Sequence, residues 1–184
     1  MDHEAPIIKE DVAGREPLDF GVWTDHRIPE DRSGWHPLVR HFYEHWLSIA
    51  PPSRLPGRHR IAPEEMVPLL SRMSILDVHR DPLRFRFRLY GTALVSSMQR
   101  DLTGQWLDEA QLQTVSNPKI RDRYRFMAET GRPTWRQGKT NWDRDPLHRI
   151  VENCFAPLAA DGETVDKLIG LTVVFDSAGN EILC

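Results

Sequence analysis

The chain has 184 residues, a formal net charge of −3 and an apolar fraction of 40%. This length predicts one globular domain with a sizeable core. The two cysteines are too few for a disulfide framework and favour a reducing cytoplasm. The weak negative charge argues against a nucleic-acid partner. The N-terminus has no pattern of a secretory signal peptide, which argues against export. No apolar run approaches the ~20 residues that a membrane-spanning helix needs, which argues against a membrane location.

Residues 1–34 are predicted to be an N-terminal extension, since prolines, glycines and charges are scattered through them without a hydrophobic period. Residues 35–71 follow as the N-terminal helices. The first of these, residues 35–50, has a proline in its first turn and ends before Pro51. Its apolar residues recur at spacings of three and four, and the resulting stripe includes Trp35, Leu38, Phe42 and Trp46.

This apolar stripe predicts a homodimer. An isolated helix of this length is marginal in water, so the stripe must pack on the chain's own sheet or on the same helix of a second copy. A two-fold pairing of one stripe is the commonest closed arrangement, so the four residues named above are candidates for a dimer interface. Packing on the chain's own sheet is the alternative.

A short helix and a β-hairpin are predicted next. The helix runs from Pro63 to Leu70, because proline suits the first position and two carboxylates follow it. The strands Met73–His79 and Arg84–Tyr90 flank a turn. Alternation in the second strand puts Phe85, Phe87 and Leu89 on one face, and Arg84, Arg86 and Arg88 on the other. The row of arginines indicates a solvated edge strand, with an anion-binding or acidic-partner surface as the alternative.

The rest of the chain is predicted to contain short helical pieces over residues 91–107, one longer helix and three strands. The helix begins at Asn117–Pro118, ends before Gly131, and carries an inward stripe of Ile120, Tyr124 and Met127. The strands occupy residues 134–142, 150–158 and 168–175. The last strand has apolar residues at both its odd and its even positions, which is typical of a central strand covered on both faces. The order of the elements indicates an α+β fold with an antiparallel sheet.

Three stretches of the chain resemble the PAS domain family, especially a group of small bacterial PAS-like proteins. They are LPGRHRIAPEEMVPLL, ILDVHRDPLRFRFRLYGTALVSSMQRDLTGQWLDE and APLAADGETVDKLIGLTVVF, within residues 55–176. The resemblance implies a PAS-like five-stranded antiparallel sheet with short helices on one face, often around a small ligand cavity. It also implies an edge position for the second strand and a near-central position for the fifth. One departure is Gln99, which stands where relatives often have glycine.

The resemblance sets the predicted domain organisation and function. Residues 72–178 form the PAS-like domain and residues 179–184 a C-terminal tail. The domain implies a sensory or regulatory module in signal transduction, which binds a small molecule or a protein partner and has no catalytic output domain in the chain. We expect no enzymatic activity. The alternatives are a small α+β enzyme with a pocket acid or base, which a buried titratable pair would indicate, and a ligand-free dimerisation adaptor, which a filled core would indicate.

Candidate pocket residues are those expected to face or border the space between sheet and helices, with a filled core as the alternative. They are Phe85, Phe87, Tyr90, Leu94, Met98, Phe126, Trp135, Asn153 and Val173. Three of them bring a hydrogen-bonding group to an apolar setting and are the expected anchors: Tyr90, Trp135 and Asn153.

No catalytic or metal-binding residue is assigned. The sequence Gly138–Lys139–Thr140 lacks the earlier glycine of a phosphate loop, no GxSxG elbow occurs, and the histidines at positions 36, 41 and 45 have no HExxH pattern. Cys154 is predicted to be a small core residue. One axial histidine would suffice for haem, so the cofactor is left unknown.

Overall fold

The computed structural model describes residues 28–110, 118–139, 150–176 and 178–182. These residues contain three α-helices and five strands, with two 3-10 helices between the first helix and the first strand. The α-helices are α1 (Pro37–Ile49), α2 (Thr92–Met98) and α3 (Pro118–Thr130), and the 3-10 helices are Arg58–Arg60 and Pro63–Arg72. The strands are β1 (Met73–His79), β2 (Arg84–Tyr90), β3 (Thr134–Lys139), β4 (Ile150–Leu158) and β5 (Lys167–Phe175).

The five strands form one antiparallel sheet in the order β2-β1-β5-β4-β3. This confirms the predicted α+β class, the edge position of β2 and the central position of β5. The β5 strand pairs with β1 on one side and β4 on the other, and its residues 168–175 are all buried. Burial on both faces explains why this strand is apolar at both parities.

One β2 residue lies on the face opposite to the one predicted from alternation. The register between β1 and β2 shifts, so that Ile75 pairs with Leu89 and the next residue, Leu76, pairs with Phe87. The extra residue, Arg88, interrupts the alternation, as a β-bulge does. Phe85 and Phe87 are buried as predicted, but Leu89 is 38% exposed. Alternation was therefore right up to the bulge and wrong beyond it.

The free edge of β2 is covered by the segment that follows α2. Backbone hydrogen bonds join Phe87 N to Gln105 O and Gly104 N to Phe87 O, at 2.9 and 2.7 Å. The arginine row holds this segment: Arg84 forms ion pairs with Asp108 and Glu109, and its guanidinium lies 4.2 Å from the Trp106 ring centre. Arg84 and Arg86 thus hold a cover over the edge, whereas Arg88 is exposed.

The N-terminal helices cover the first face of the sheet. The α1 stripe is buried there, with Trp35 4%, Phe42 2% and Trp46 7% exposed and Leu38 partly buried beside them. Trp46 Nε1 donates a 2.9 Å hydrogen bond to the Pro157 carbonyl of β4. The stripe therefore packs on the chain's own sheet, which was the alternative to pairing with a second copy, and Leu38 stays partly buried.

The helix α3 covers the second face. Tyr124 and Met127 of the predicted stripe are buried against Phe155, Leu76 and the two phenylalanines of β2, and Ile120 packs at the border. The helix therefore closes a second apolar core on the side of the sheet opposite α1.

Two of the helices have distinctive local geometry. The short helix predicted from Pro63 to Leu70 is a 3-10 helix that runs from Pro63 to Arg72. The helix α2 ends at Met98, and its C-cap residue Gln99 adopts a left-handed conformation with φ of 55°. That conformation is the one glycine favours, and it accounts for the glycine expected at this position. Among the residues described, no helix is long and apolar enough to span a bilayer.

Candidate functional site

A buried arginine on α3 links the helix to two strands. Arg123 is 3% exposed and lies on the inward side of α3, three residues after Ile120 and four before Met127. Its Nε donates to Thr134 Oγ1 at 2.6 Å, and its Nη2 donates to the Thr134 carbonyl at 3.2 Å. Its Nη1 donates to Asn153 Oδ1 at 2.7 Å. These bonds hold the guanidinium in one position over the second face of the sheet.

A second buried arginine lies beside the first. Arg136 of β3 is 7% exposed and pairs in register with Asn153 of β4. Burial, together with the neighbouring charge of Arg123, lowers the pKa of Arg136 to about 9. Burial likewise lowers the pKa of Arg123 to about 10. Both groups stay cationic at neutral pH, so two positive charges lie close together in a poorly solvated region.

Strand alternation explains why these groups meet. Successive side chains of a strand point to opposite faces, so Thr134 and Arg136 share one face of β3, and Trp135 and Gln137 share the other. On β4, Asn153 and Phe155 lie on the arginine side, and Glu152 lies on the opposite side. The inward stripe of α3 then places Arg123 above them.

Aromatic rings surround this polar cluster. The Phe155 ring lies 5.1 Å from the Arg123 guanidinium, 5.3 Å from the Tyr124 ring, and Tyr124 in turn lies 5.6 Å from Phe85. Burial raises the pKa of Tyr124, so its hydroxyl stays neutral. The site therefore combines fixed cationic donors with an apolar wall, which is the composition of small-molecule pockets.

A small cavity lies under the first turn of α3. It has a volume of about 70 Å³, and its lining includes Leu83, Phe85, Leu107, Asp108 and Ile120. Arg84 and Arg121 complete its lining, which does not include Arg123 or Arg136.

The structure divides the predicted pocket residues between two faces. Five of them lie in or against the core beneath α3 or bond to its arginine: Phe85, Phe87, Tyr90, Phe126 and Asn153. Leu94 of α2 is 2% exposed. The side chain of Met98 lies outside the described part of the chain.

Trp135 and Val173 belong to the opposite face, where they pack in the core under α1. Trp135 stacks on Trp35 with ring centres 5.1 Å apart. Both occupy strand positions of the parity that faces α1, away from the core under α3. The residues missed from the sequence are Arg123, Arg136 and Thr134. The sequence signal that could have identified Arg123 is its position within the inward Ile120–Met127 stripe of a predicted helix.

The α1 face holds one buried acid. Glu152 is 0% exposed, and its Oε1 accepts hydrogen bonds from His36 N at 2.8 Å and from Trp135 Nε1 at 3.1 Å. Its Oε2 accepts from Gln137 Nε2 at 3.5 Å. Burial raises the pKa of Glu152 to about 7. Since these donors belong to the start of α1 and to β3, Glu152 acts as a structural connection between helix and sheet.

The remaining candidate groups do not form a metal or thiol site in the described residues. No three side chains of histidine, cysteine, aspartate or glutamate come together there. His45 Nδ1 lies 3.4 Å from Glu65 Oε2, and His41 is exposed. Cys154 is 0% exposed, as predicted for a core residue, and burial raises the pKa of its thiol to about 12.

A known family model matches most of the chain. Residues 35–173, which are 139 of the 184 residues, match the family model described as PAS domain. The matched range begins with the stripe of α1 and ends in β5, so it includes the helices on both faces of the sheet. No curated protein matches the chain.

Proposed function

This chain belongs to the PAS domain family, a family of sensory and regulatory modules, and from that membership we propose that it senses a small molecule bound between α3 and the sheet. One observation carries the proposal: a buried arginine held by side chains of two strands within an aromatic core. Arg123 bonds to Thr134 and Asn153, and the Phe155 ring lies below it. Ligand pockets are mostly apolar and contain a few fixed polar groups of this kind.

The available space limits how the ligand would enter. The cavity of about 70 Å³ beneath α3 has room for only a few water molecules. A larger ligand would therefore require side chains under α3 to move. The competing interpretation is a ligand-free adaptor, in which the same residues are only a filled core.

We propose no catalytic role, and the module would pass its state to a protein partner. The buried acid Glu152 is not accessible as a pocket acid or base, because α1 covers it and three N–H groups hold its oxygens. A homodimer would have to use a surface other than the α1 stripe, whose residues Phe42 and Trp46 are buried. A reducing cytoplasm is the proposed location, and the buried Cys154 thiol is free.

Native mass spectrometry of the freshly purified chain tests this proposal. We expect a fraction of the protein to carry the added mass of a small molecule. Asn153→Leu should abolish that added mass, because it removes the acceptor that fixes Arg123. Glu152→Gln is the matched control, since it changes the adjacent residue of β4 on the opposite face. No added mass in any variant, together with no ligand-induced stabilisation of the wild type, would favour the adaptor instead.

A further inference from the structure

We propose that a second copy of this chain docks on an exposed apolar patch formed by Val67, Leu70 and Leu89, which gives a two-fold symmetric homodimer. The patch lies outside the α1 stripe, whose residues Phe42 and Trp46 are buried in the chain's own core. The dimer does not depend on the small molecule proposed above, so either proposal can hold without the other.

Most of the large apolar side chains that stay exposed belong to this patch. Four such side chains occur among the described residues, and Val67, Leu70 and Leu89 are 61%, 42% and 38% exposed. Val67 and Leu70 lie three residues apart on the second 3-10 helix, where side chains at this spacing stand one above the other. Met66 and Leu69, each one residue earlier, are buried in the core under α1. The helix therefore buries one line of side chains and presents a short apolar ridge to solvent.

Close packing of two backbones brings Leu89 to this ridge. A Cβ atom at Gly91 would collide with the carbonyl groups of Leu70 and Ser71, so the chain just after β2 lies directly against the end of the helix. Leu89 pairs with Ile75, whose side chain packs in the core under α1, and directly paired residues share a face of the sheet. The bulge thus turns Leu89 to the face that the 3-10 helix covers, where it meets the ridge.

Charges of both signs border the patch. Glu64 is exposed and continues the ridge, three residues before Val67. Arg88 precedes Leu89, and its side chain is 67% exposed, with Nη1 3.9 Å from Asp77 Oδ2. That distance is at the outer limit of an ion pair, so the guanidinium is able to pair with a closer carboxylate.

These charges favour a second copy as the occupant. A two-fold interface uses the same patch on both chains, so the patch must be complementary to itself. A two-fold axis that passes between Glu64 and Arg88 places Glu64 of each copy beside Arg88 of the other, with the apolar side chains in contact near the axis. A partner with a uniformly acidic or basic surface would instead meet a like charge at one of the two positions. Few side chains of each copy take part, so we expect a weak dimer that dissociates on dilution.

Light scattering of the full chain over a dilution series tests the dimer. From about 1 mM down to about 1 μM, we expect the molar mass to fall from two chains towards one. Val67→Glu should stay monomeric over this range, because dimerisation would bury an unpaired carboxylate of each copy among apolar side chains. Leu47→Glu is the matched control: this residue is 46% exposed on α1, and the variant should dimerise like the wild type. Circular dichroism checks that both variants are folded.

A charge exchange tests the two-fold arrangement without changing the apolar side chains. Glu64→Arg and Arg88→Glu should each weaken the dimer about tenfold, because each places like charges together at two points of the interface. The double variant restores opposite charges and should recover most of the wild-type affinity. Glu44→Arg makes the same charge change on the exposed side of α1 and should leave the affinity unchanged.

Three results would overturn this dimer. A wild type that remains monomeric up to about 1 mM would assign the patch to a different partner. A folded Val67→Glu variant that dimerises like the wild type would place the interface elsewhere. Single charge variants that keep the wild-type affinity, or a double variant that recovers none of a lost affinity, would contradict the pairing of Glu64 with Arg88. The small molecule is tested separately by the mass spectrometry described above, so its presence or absence leaves these results unaffected.

Discussion

Arg123 Nη1 of α3 donates a 2.7 Å hydrogen bond to Oδ1 of Asn153, which stands in the second strand from the β3 edge. Both residues are buried, so the bond joins the helix to the sheet where little water can substitute for a lost partner. The same arginine bonds to Thr134 of β3. One side chain therefore couples α3 to two strands, and a ligand at this point would be able to affect all three elements.

Asn153→Ala should lower the free energy of unfolding by about 1.5–3 kcal/mol, because a buried charged donor loses its acceptor. Chemical denaturation measures the change. The double variant Arg123→Met with Asn153→Leu should cost less than the sum of its single variants, since each single change already breaks the shared bond. Strict additivity would show that the two residues are not coupled.

Glu152→Gln should change how stability depends on pH. The pKa of Glu152 is raised from 4.5 to about 7 in the folded chain, so its contribution is fully present below pH 4.5 and is lost as pH rises through 7. Between these pH values the free energy of unfolding of the wild type should fall by about 3 kcal/mol because of this group, and that of Glu152→Gln should not.

The comparison with Glu152→Gln isolates this effect from a second buried group. Burial lowers the pKa of His36, so that residue contributes stability that is lost as pH falls below its ordinary value. His36 is present in both proteins and its contribution cancels in the difference. Denaturation curves at several pH values give that difference, and parallel stability profiles would contradict the raised pKa.

Phe87→Ala and Leu89→Ala should differ strongly although the residues are two apart. Phe87 is 5% exposed and should cost about 3–5 kcal/mol when truncated. Leu89 is 38% exposed beyond the bulge and should cost under about 1 kcal/mol. Urea titrations of both variants measure this, and similar losses would mean that β2 keeps its alternation through Tyr90.

Phe42→Glu should unfold the chain rather than separate two copies. The side chain is 2% exposed in the core under α1, and a buried unpaired charge costs several kcal/mol. Circular dichroism and light scattering measure folding and mass together. Leu47→Glu is the control on the exposed side of α1, where the residue is 46% exposed, and it should stay folded. A folded monomer of Phe42→Glu from a dimeric wild type would restore the α1 stripe as the dimer interface.

Gln99→Gly should stabilise the chain by about 0.5–1 kcal/mol. Its backbone has a φ of 55°, which glycine adopts without the steric cost of a Cβ atom. The hydrogen bond from Gln99 Nε2 to the Ser96 carbonyl would be lost, but this bond is exposed and contributes little. Thermal unfolding checks the sign, and a lower Tm would contradict it.

Several parts of the fold were predictable because their signals are local. Alternation over Arg84–Phe87 identified the inward phenylalanines, and the doubly apolar run ending at Phe175 identified a central strand. Asn153 was recognised as a polar anchor, and the structure places it in the cluster with Arg123. The arginine itself was missed because a charged residue on a helix is normally exposed, and only its contacts with β3 and β4 show otherwise.

Local patterns in the chain were enough to locate the strands and helices and to assign the faces of a regular strand, because these patterns follow from backbone geometry. The tertiary structure decided which cover each face received. It placed α1 over Trp135 and Val173, α3 over Asn153, and a bulge at Arg88. These choices depend on contacts between residues far apart in the chain, where the burial of apolar area and the pairing of buried polar groups are balanced over the whole fold.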